Sequence, residues 1–206
     1  MSQTLSDILI QANTYTDLEA ILPTGTDLTT RTNYANQAVK DAASLYTFPQ
    51  FSTQYTVYAT GATVSLPADF RELEYFPKFV SSGIETDLSV IKAGTTTNED
   101  KYSYVLGNPA NGYNLILSGV SGATISMLYQ KYPVGFTTLT SVCELPDPEY
   151  VKQKVISYVL QSRNDDRFQI AEGDAQTRLA NMVGRENFIH GGVNTIPVAT
   201  SFVIGE

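Results

Sequence analysis

Residues Leu145–Leu160 read LPDPEYVKQKVISYVL, and this stretch divides the chain. Asp147 is a good helix N-cap, Pro148 suits the first helical position, and Glu149 lies favourably against the helix dipole. Val151, Val155, Ile156, Tyr158, Val159 and Leu160 then cover a wide apolar arc. That arc marks the most buried helix of the fold. Helical periodicity resumes here after a long interval in which it is missing.

Beyond this helix, Asp165-Asp166 can start a last one through Phe168, Ala171, Ala175, Leu179, Met182 and Val183, weakened by Gly173 and ending near Gly184–Asn187. The chain also opens with helices. Ser6-Asp7 can cap a short first helix with Leu5, Ile8, Leu9 and Ala12 on one face. After a loop at Leu22–Asp27, Asp27 or Thr29 can cap a second helix to about Tyr46. Its stripe is Tyr34, Ala35, Ala38, Val39, Ala42, Leu45 and Tyr46, small enough to admit a close neighbour. Phe48-Pro49 ends it.

Between the helical ends the pattern is that of strands. Gln54–Ala59 is rich in β-formers, and Thr60-Gly61-Ala62 can turn it into Thr63–Leu66 as a hairpin. Leu73–Phe76, Tyr102–Leu106, Tyr113–Leu117 and Thr124–Tyr132 follow. Asn108–Gly112 and Gly119–Gly122 are turn clusters, and Thr95–Lys101 is a polar loop tip. The fold class is therefore α+β. A helical bundle is formed by the N- and C-terminal segments (1–50 and 145–188), around an inserted small antiparallel β sandwich or barrel (51–144). Residues 189–206 form an extended C-terminal arm.

That arm reads IHGGVNTIPVATSFVIGE from Ile189 to Glu206. Its apolar residues are Ile189, Val193, Ile196, Val198, Phe202, Val203 and Ile204, and Glu206 carries its only formal side-chain charge. Gly191, Gly192 and Pro197 break helical continuity. Disordered tails are normally polar and charged. This one needs a partner surface, either its own domain or a neighbouring subunit. Ile189, Val193, Ile196, Pro197, Val198, Phe202, Val203 and Ile204 are the candidate docking residues.

The 206-residue chain carries 13 basic and 21 acidic residues, a formal net charge of −8. That opposes tight binding to a phosphate backbone, although it permits DNA to pass an acidic wall without sticking. Thirteen tyrosines and nine phenylalanines, without tryptophan, suit half-buried strands or surfaces that become interfaces. A single cysteine precludes an intrachain disulfide, and the reducing cytoplasm is the expected place of synthesis. MSQTLSDILIQ opens as an amphipathic segment rather than a leader, and no apolar run approaches the ~20 residues of a membrane span.

Chemistry is sparsely signalled. Cys143 and the sole histidine, His190, could pair as nucleophile and base only if the arm folds back. Asp165-Asp166 reads as a helix cap before it reads as a cation site. Asp69, Glu72 and Glu74 could be glycosidase carboxylates, with alternation placing Glu72 and Glu74 on one face, but polar edge residues explain them equally well. Tyr102, Tyr104 and Tyr113 could form a sugar-binding surface, although period-two tyrosines are more often packed or subunit-facing. No catalytic residue, metal or cofactor is expected.

Three features together resemble a phage head-to-tail connector (adaptor) protein. They are the early helix pair with Thr29–Ala38 entering the second helix, and Val64–Leu73, a strand running into Leu66-Pro67-Ala68-Asp69-Phe70. The third is Glu144–Tyr150 leading into a long helix, followed by Arg163–Phe168 and a helix ending near Asn187. The resemblance spans about Leu5 to Asn187. It implies a structural virion protein of the neck, assembled in the host cytoplasm. It would be one of twelve identical neighbours in a ring that docks on the portal protein, meets a tail or nozzle protein, and lets DNA through its lumen without specific binding. A tail-terminator or tail-tube-associated protein is the alternative within that class. A carbohydrate-binding receptor module on a virion is the alternative from another class.

Overall fold

Thr4 and Asp7 open the fold with reciprocal capping. The Asp7 N–H donates to Thr4 Oγ1 at 3.3 Å, and the Thr4 N–H donates to Asp7 Oδ2 at 3.0 Å. The cap is thus Thr4, two residues before the expected Ser6. Helix α1 spans Leu5–Asp17 and buries Leu5, Ile8, Leu9 and Ala12. The computed structural model describes residues 2–81, 83–95 and 97–190.

Helix α2 spans Gly25–Leu45 and starts from Thr24, ahead of the expected caps. Asp27 is committed elsewhere, since its carboxylate takes the Arg31 side chain one turn on at 3.0 Å. A 3-10 turn at Pro49–Phe51 ends the opening segment. Helix α3, Pro148–Ser162, begins as its sequence dictates: Asp147 Oδ1 accepts the Glu149 N–H at 3.0 Å. Helix α4 spans Phe168–His190, so its backbone continues past Gly184 and includes Ile189 and His190. α3 packs against α1, α2 and α4. Its Tyr150, Val151, Val155, Ile156, Val159 and Leu160 are buried in one apolar cluster with α2's alanines and α4's Ala171, Ala175, Leu179, Met182 and Val183.

The middle of the chain supplies nine strands: β1 Ser52–Ala59, β2 Thr63–Ser65, β3 Phe70–Leu73, β4 Lys78–Ser81, β5 Ile84–Asp87, β6 Ser89–Val90, β7 Tyr102–Asn108, β8 Gly112–Ser118 and β9 Ala123–Lys131. They form two sheets and, among the described residues, no closed barrel. One sheet runs β1-β9-β4-β5, with β3 also on β9; the other runs β2-β8-β7-β6. Both contribute to a second apolar cluster that includes Val64, Phe79, Leu115, Leu117, Ile125 and Met127.

The expected hairpin between β1 and β2 does not exist. β1 pairs with β9 and β2 with β8, so Thr60–Ala62 carries the chain from one sheet to the other. The buried Ala59 and Val64 flank this crossing and face the shared cluster. The third expected strand lies earlier, at Phe70–Leu73, and leaves Tyr75 and Phe76 exposed. Strands β4, β5 and β6 were not expected. β6 pairs with β7 in parallel, the exception in otherwise antiparallel sheets. The β7–β8 hairpin turns where the Asn-Pro-Ala-Asn-Gly cluster predicts, with Asn108 Oδ1 accepting the N–H groups of Ala110 and Asn111.

Candidate assembly surfaces

One polar cluster fixes the corner where α1, α2 and α3 meet. Arg31 on α2 is 1% exposed, yet fully engaged: it contacts Asp17 at 2.6 Å, Asp27 at 3.0 Å and Thr16 Oγ1 at 3.2 Å. Arg163, just past α3, contacts the other oxygen of Asp17 at 2.6 Å. The hydrogen bond from Arg163, helped by those from Arg31 and Thr16, holds the Asp17 carboxyl far below the usual carboxylate range, although partial burial opposes it. A charge buried on this scale persists because its partners converge on it.

The residue after Asp17 is the unusual one. Leu18 has φ 61°, in the left-handed region that bulky side chains avoid, and is 88% exposed. A glycine or asparagine would end the helix with less strain. Leu18 borders an open groove of ≈ 450 Å³ with Tyr15, Lys152, Ile156 and Arg167. An aliphatic side chain held outward by a strained backbone beside a groove has the form of a protein-docking anchor.

A second network joins α2, α3 and α4. Lys154 reaches both oxygens of Glu172 at 2.9 Å, and Ser157 donates to Glu172 at 3.0 Å. Burial would raise the Glu172 carboxyl, but hydrogen bonds from Gln176, Lys154 and Ser157 outweigh it and lower the pKa. Lys154 also stands 4.7 Å from the centre of the Tyr158 ring, whose hydroxyl donates to Asp41 at 2.8 Å. These groups hold helices together.

On the β part, Tyr75 and Phe76 are 70% and 60% exposed between β3 and β4. Together they border two shallow grooves, one of ≈ 550 Å³ shared with Gln54, Lys78 and Glu85, the other of ≈ 460 Å³ shared with Leu73 and Val90. Adjacent exposed aromatics flanked by polar groups are the usual composition of an interface anchor.

The residues considered for chemistry whose side chains are described do not converge. Burial pushes the Cys143 thiol up to about 11, which makes it a poor nucleophile, and the His190 side chain lies outside the described residues. Asp165 pairs with Arg167 at 2.6 Å and accepts its N–H ahead of α4. That arrangement, led by the Arg167 side chain, lowers its carboxyl to about 2. Asp69 accepts the Tyr129 hydroxyl, Glu72 pairs with Arg71, and Glu74 takes Ser52 and Gln130. Glu74 lies just past the end of β3, and the register shift in that strand falls between Phe70 and Glu72, upstream of the Glu72–Glu74 pair. Tyr102 and Tyr104 sit opposite Ser118 and Ile116, whereas Tyr113 lies in the row of the buried Leu115 and Leu117 and packs on Phe70. The three tyrosines are split between two faces of their sheet. Among the described residues no cluster of three or more His, Cys, Asp or Glu side chains is placed to hold a metal ion.

Of the candidate docking residues, Ile189 belongs to the α4 backbone, and Val193, Ile196, Pro197, Val198, Phe202, Val203 and Ile204 lie outside the described residues. The backbone at residues 189 and 190 is therefore helical, not extended. Leu18, Tyr75 and Phe76 were not singled out from sequence. Tyr75-Phe76 read there as strand, and nothing local marks Leu18 as left-handed.

No helix among the described residues is long and apolar enough to cross a membrane. No curated protein matches the chain by sequence. The family model of the SU10 adaptor protein matches residues 3–193, nearly the whole chain, in agreement with the resemblance to head-to-tail adaptors. With the two helical ends and the β middle all inside that match, the chain belongs to the SU10 adaptor protein family.

Proposed function

We propose that the protein is a non-enzymatic structural component of a phage virion: one subunit of a homo-oligomeric adaptor ring, twelve-fold as in the adaptor pattern, that joins the portal to the tail and passes DNA through its lumen. The family match over residues 3–193 carries this reading. In it, the helical ends form a bundle (1–50 and 145–188) and the two sheets are the layers of a small sandwich (51–144). The segment beyond α4, residues 191–206, docks on the portal as an extended arm.

Physical features support it. An adaptor needs surfaces rather than a catalyst, and the chain displays two separate apolar anchors, at Leu18 and at Tyr75-Phe76. Surfaces that differ on one subunit suit heterologous contacts, which close into rings. A net charge of −8 suits a wall that DNA slides past. An apolar segment repeated around a ring binds a second ring with avidity.

The test is mass measurement of the purified chain alone and mixed with its phage's portal protein. A ring-sized assembly that is stable on the portal is the expected outcome. A monomer or trimer that ignores the portal and binds glycans would replace this reading with a receptor module.

A further inference from the structure

We infer that copies of this chain join edge to edge through one sheet, strand β1 of one subunit pairing antiparallel with strand β5 of the next. The inference rests on the ring reading above and names the surface that closes it.

The starting observation is an unprotected edge. β1 runs STQYTVYA over eight residues, in unbroken register with β9 from Ser52 opposite Gln130 to Ala59 opposite Ala123. No described strand pairs with its other side. Natural sheets blunt such edges with lysine, proline, a bulge or shortness. β1 has no charged residue, no proline, no bulge, and five β-branched or aromatic residues among its eight. An edge of this kind is left open where another chain will occupy it.

The same sheet ends, on its far side, at β5, which among the described residues pairs only with β4 and whose four residues are all exposed. Strand directions alternate along β1-β9-β4-β5, so β5 runs opposite to β1. A neighbour's β1 laid against β5 would therefore continue the antiparallel order, and each subunit would use two different edges. That is the head-to-tail contact a ring requires.

The side-chain rows match across such a junction. In β1, Tyr55 and Val57 sit opposite the buried Met127 and Ile125, on the core-facing row. In β5, Thr86 sits opposite the buried Phe79, and Ile84 opposite Ser81, which places both on that same row. Ile84 is nevertheless 68% exposed. A neighbouring β1 would extend the apolar row beside it. On the other face, Glu85 and Asp87 would meet uncharged Gln54, Thr56 and Tyr58. Two-fold β5–β5 pairing would instead bring these carboxylates together, a like-charge contact. Two-fold β1–β1 pairing would leave Ile84 bare.

The test is cross-linking with Thr56→Cys and Glu85→Cys, both on the outer row, in a Cys143→Ser background. A short flexible bismaleimide is added to protein assembled on its portal, and oligomer mass is measured on the same sample. The double variant should give a ladder of covalent oligomers on a denaturing gel. A mixture of the two single variants should stop at dimers, and neither single variant should link to itself. Self-linking of Thr56→Cys alone would show a two-fold β1 contact and overturn the inference. An intact ring without the ladder overturns it while leaving the ring reading in place. No ring at all removes both.

Discussion

Asn36 on α2 and Phe136 in the segment after β9 exchange two hydrogen bonds across 100 positions of sequence. The Asn36 amide donates to the Phe136 carbonyl at 3.2 Å, and the Phe136 N–H donates to Asn36 Oδ1 at 2.6 Å. Gly135 beside them has φ 75°, and a Cβ there would stand 2.5 Å from Asn36 Oδ1. The contact straps the returning chain onto the helices just where the β part hands back to α3. A second tie crosses nearby, where Leu5 N–H donates to the Ser141 carbonyl at 2.9 Å. Arg71 adds a third, donating to the carbonyls of Ala43 and Tyr46.

The Asn36 strap gives a graded prediction. Asn36→Ala loses both bonds, and Asn36→Asp keeps the acceptor but turns a carboxylate toward the Phe136 carbonyl. Each should cost about 1–3 kcal/mol, Asp at neutral pH at least as much as Ala. For a chain of this size that is a fall of about 2–4 °C in thermal midpoint per kcal/mol. Scanning calorimetry of the two variants checks it; an Asp variant as stable as the parent would mean the strap is not held by the Asn36 amide.

The Asp17 cluster should appear in the acid limb of stability. Asp17's folded pKa is depressed, chiefly by Arg163, from an ordinary value near 3.8. A depressed carboxylate contributes stability that is present above its unfolded pKa and lost as pH falls through its folded one. The loss should therefore begin below about pH 4 and continue downward. Asp17→Asn should be less stable than the parent at pH 7 and should show a shallower decline between pH 4 and pH 2. Arg31→Met should cost toward the lower end of ~3–5 kcal/mol, since Asp17 keeps Arg163 and Asp27 is half in solvent. Urea unfolding across that pH range checks both.

Val155 is completely buried where α3 meets the other helices. Val155→Asp places an unpaired carboxyl there, at a cost of several kcal/mol or a forced neutral state. Insoluble or unfolded protein is expected. A soluble variant with the parent's thermal midpoint would move α3 out of the core.

How much of this was legible beforehand follows from how local each signal is. α3 was readable because Asp147, Pro148 and Glu149 act within one turn, and its apolar arc is dense enough to survive any neighbour. The β1–β2 hairpin misled because Thr60-Gly61-Ala62 is turn chemistry either way; whether a turn joins strands or crosses between sheets depends on β8 and β9, over fifty residues later. β4 to β6 went unseen because they are two to four residues long, and β5 carries no buried residue. Leu18 and Tyr75-Phe76 were invisible for a different reason. Exposure is a property of what the rest of the chain leaves uncovered, and an apolar residue in sequence reads first as core.

The isolated protein should not bind duplex DNA tightly at physiological salt. The excess of 21 acidic over 13 basic residues opposes counterion release as a driving force. Fluorescence anisotropy with a short duplex, repeated at two salt concentrations, checks it. Tight binding that collapses with added salt would reveal a basic stripe and remove the acidic-lumen reading.

The terminal segment supplies the last prediction. From Gly191 onward the chain carries Val193, Ile196, Val198, Phe202, Val203 and Ile204 and no charge before Glu206. Burying those side chains favours docking, and fixing the backbone of so many residues opposes it by a comparable amount. The balance tips only on a preformed groove or strand edge that adds backbone hydrogen bonds. The helices close their own core with Leu179, Met182 and Val183, all upstream of that segment. Deleting Gly191–Glu206 should therefore leave the thermal midpoint close to the parent's and weaken or abolish binding to the portal, read by co-sedimentation of the two purified proteins. An unfolded truncation would assign the segment to the subunit's own core. A folded truncation that still binds the portal at full affinity would move the contact to the helical face, with Leu18 and its groove as the next site to mutate.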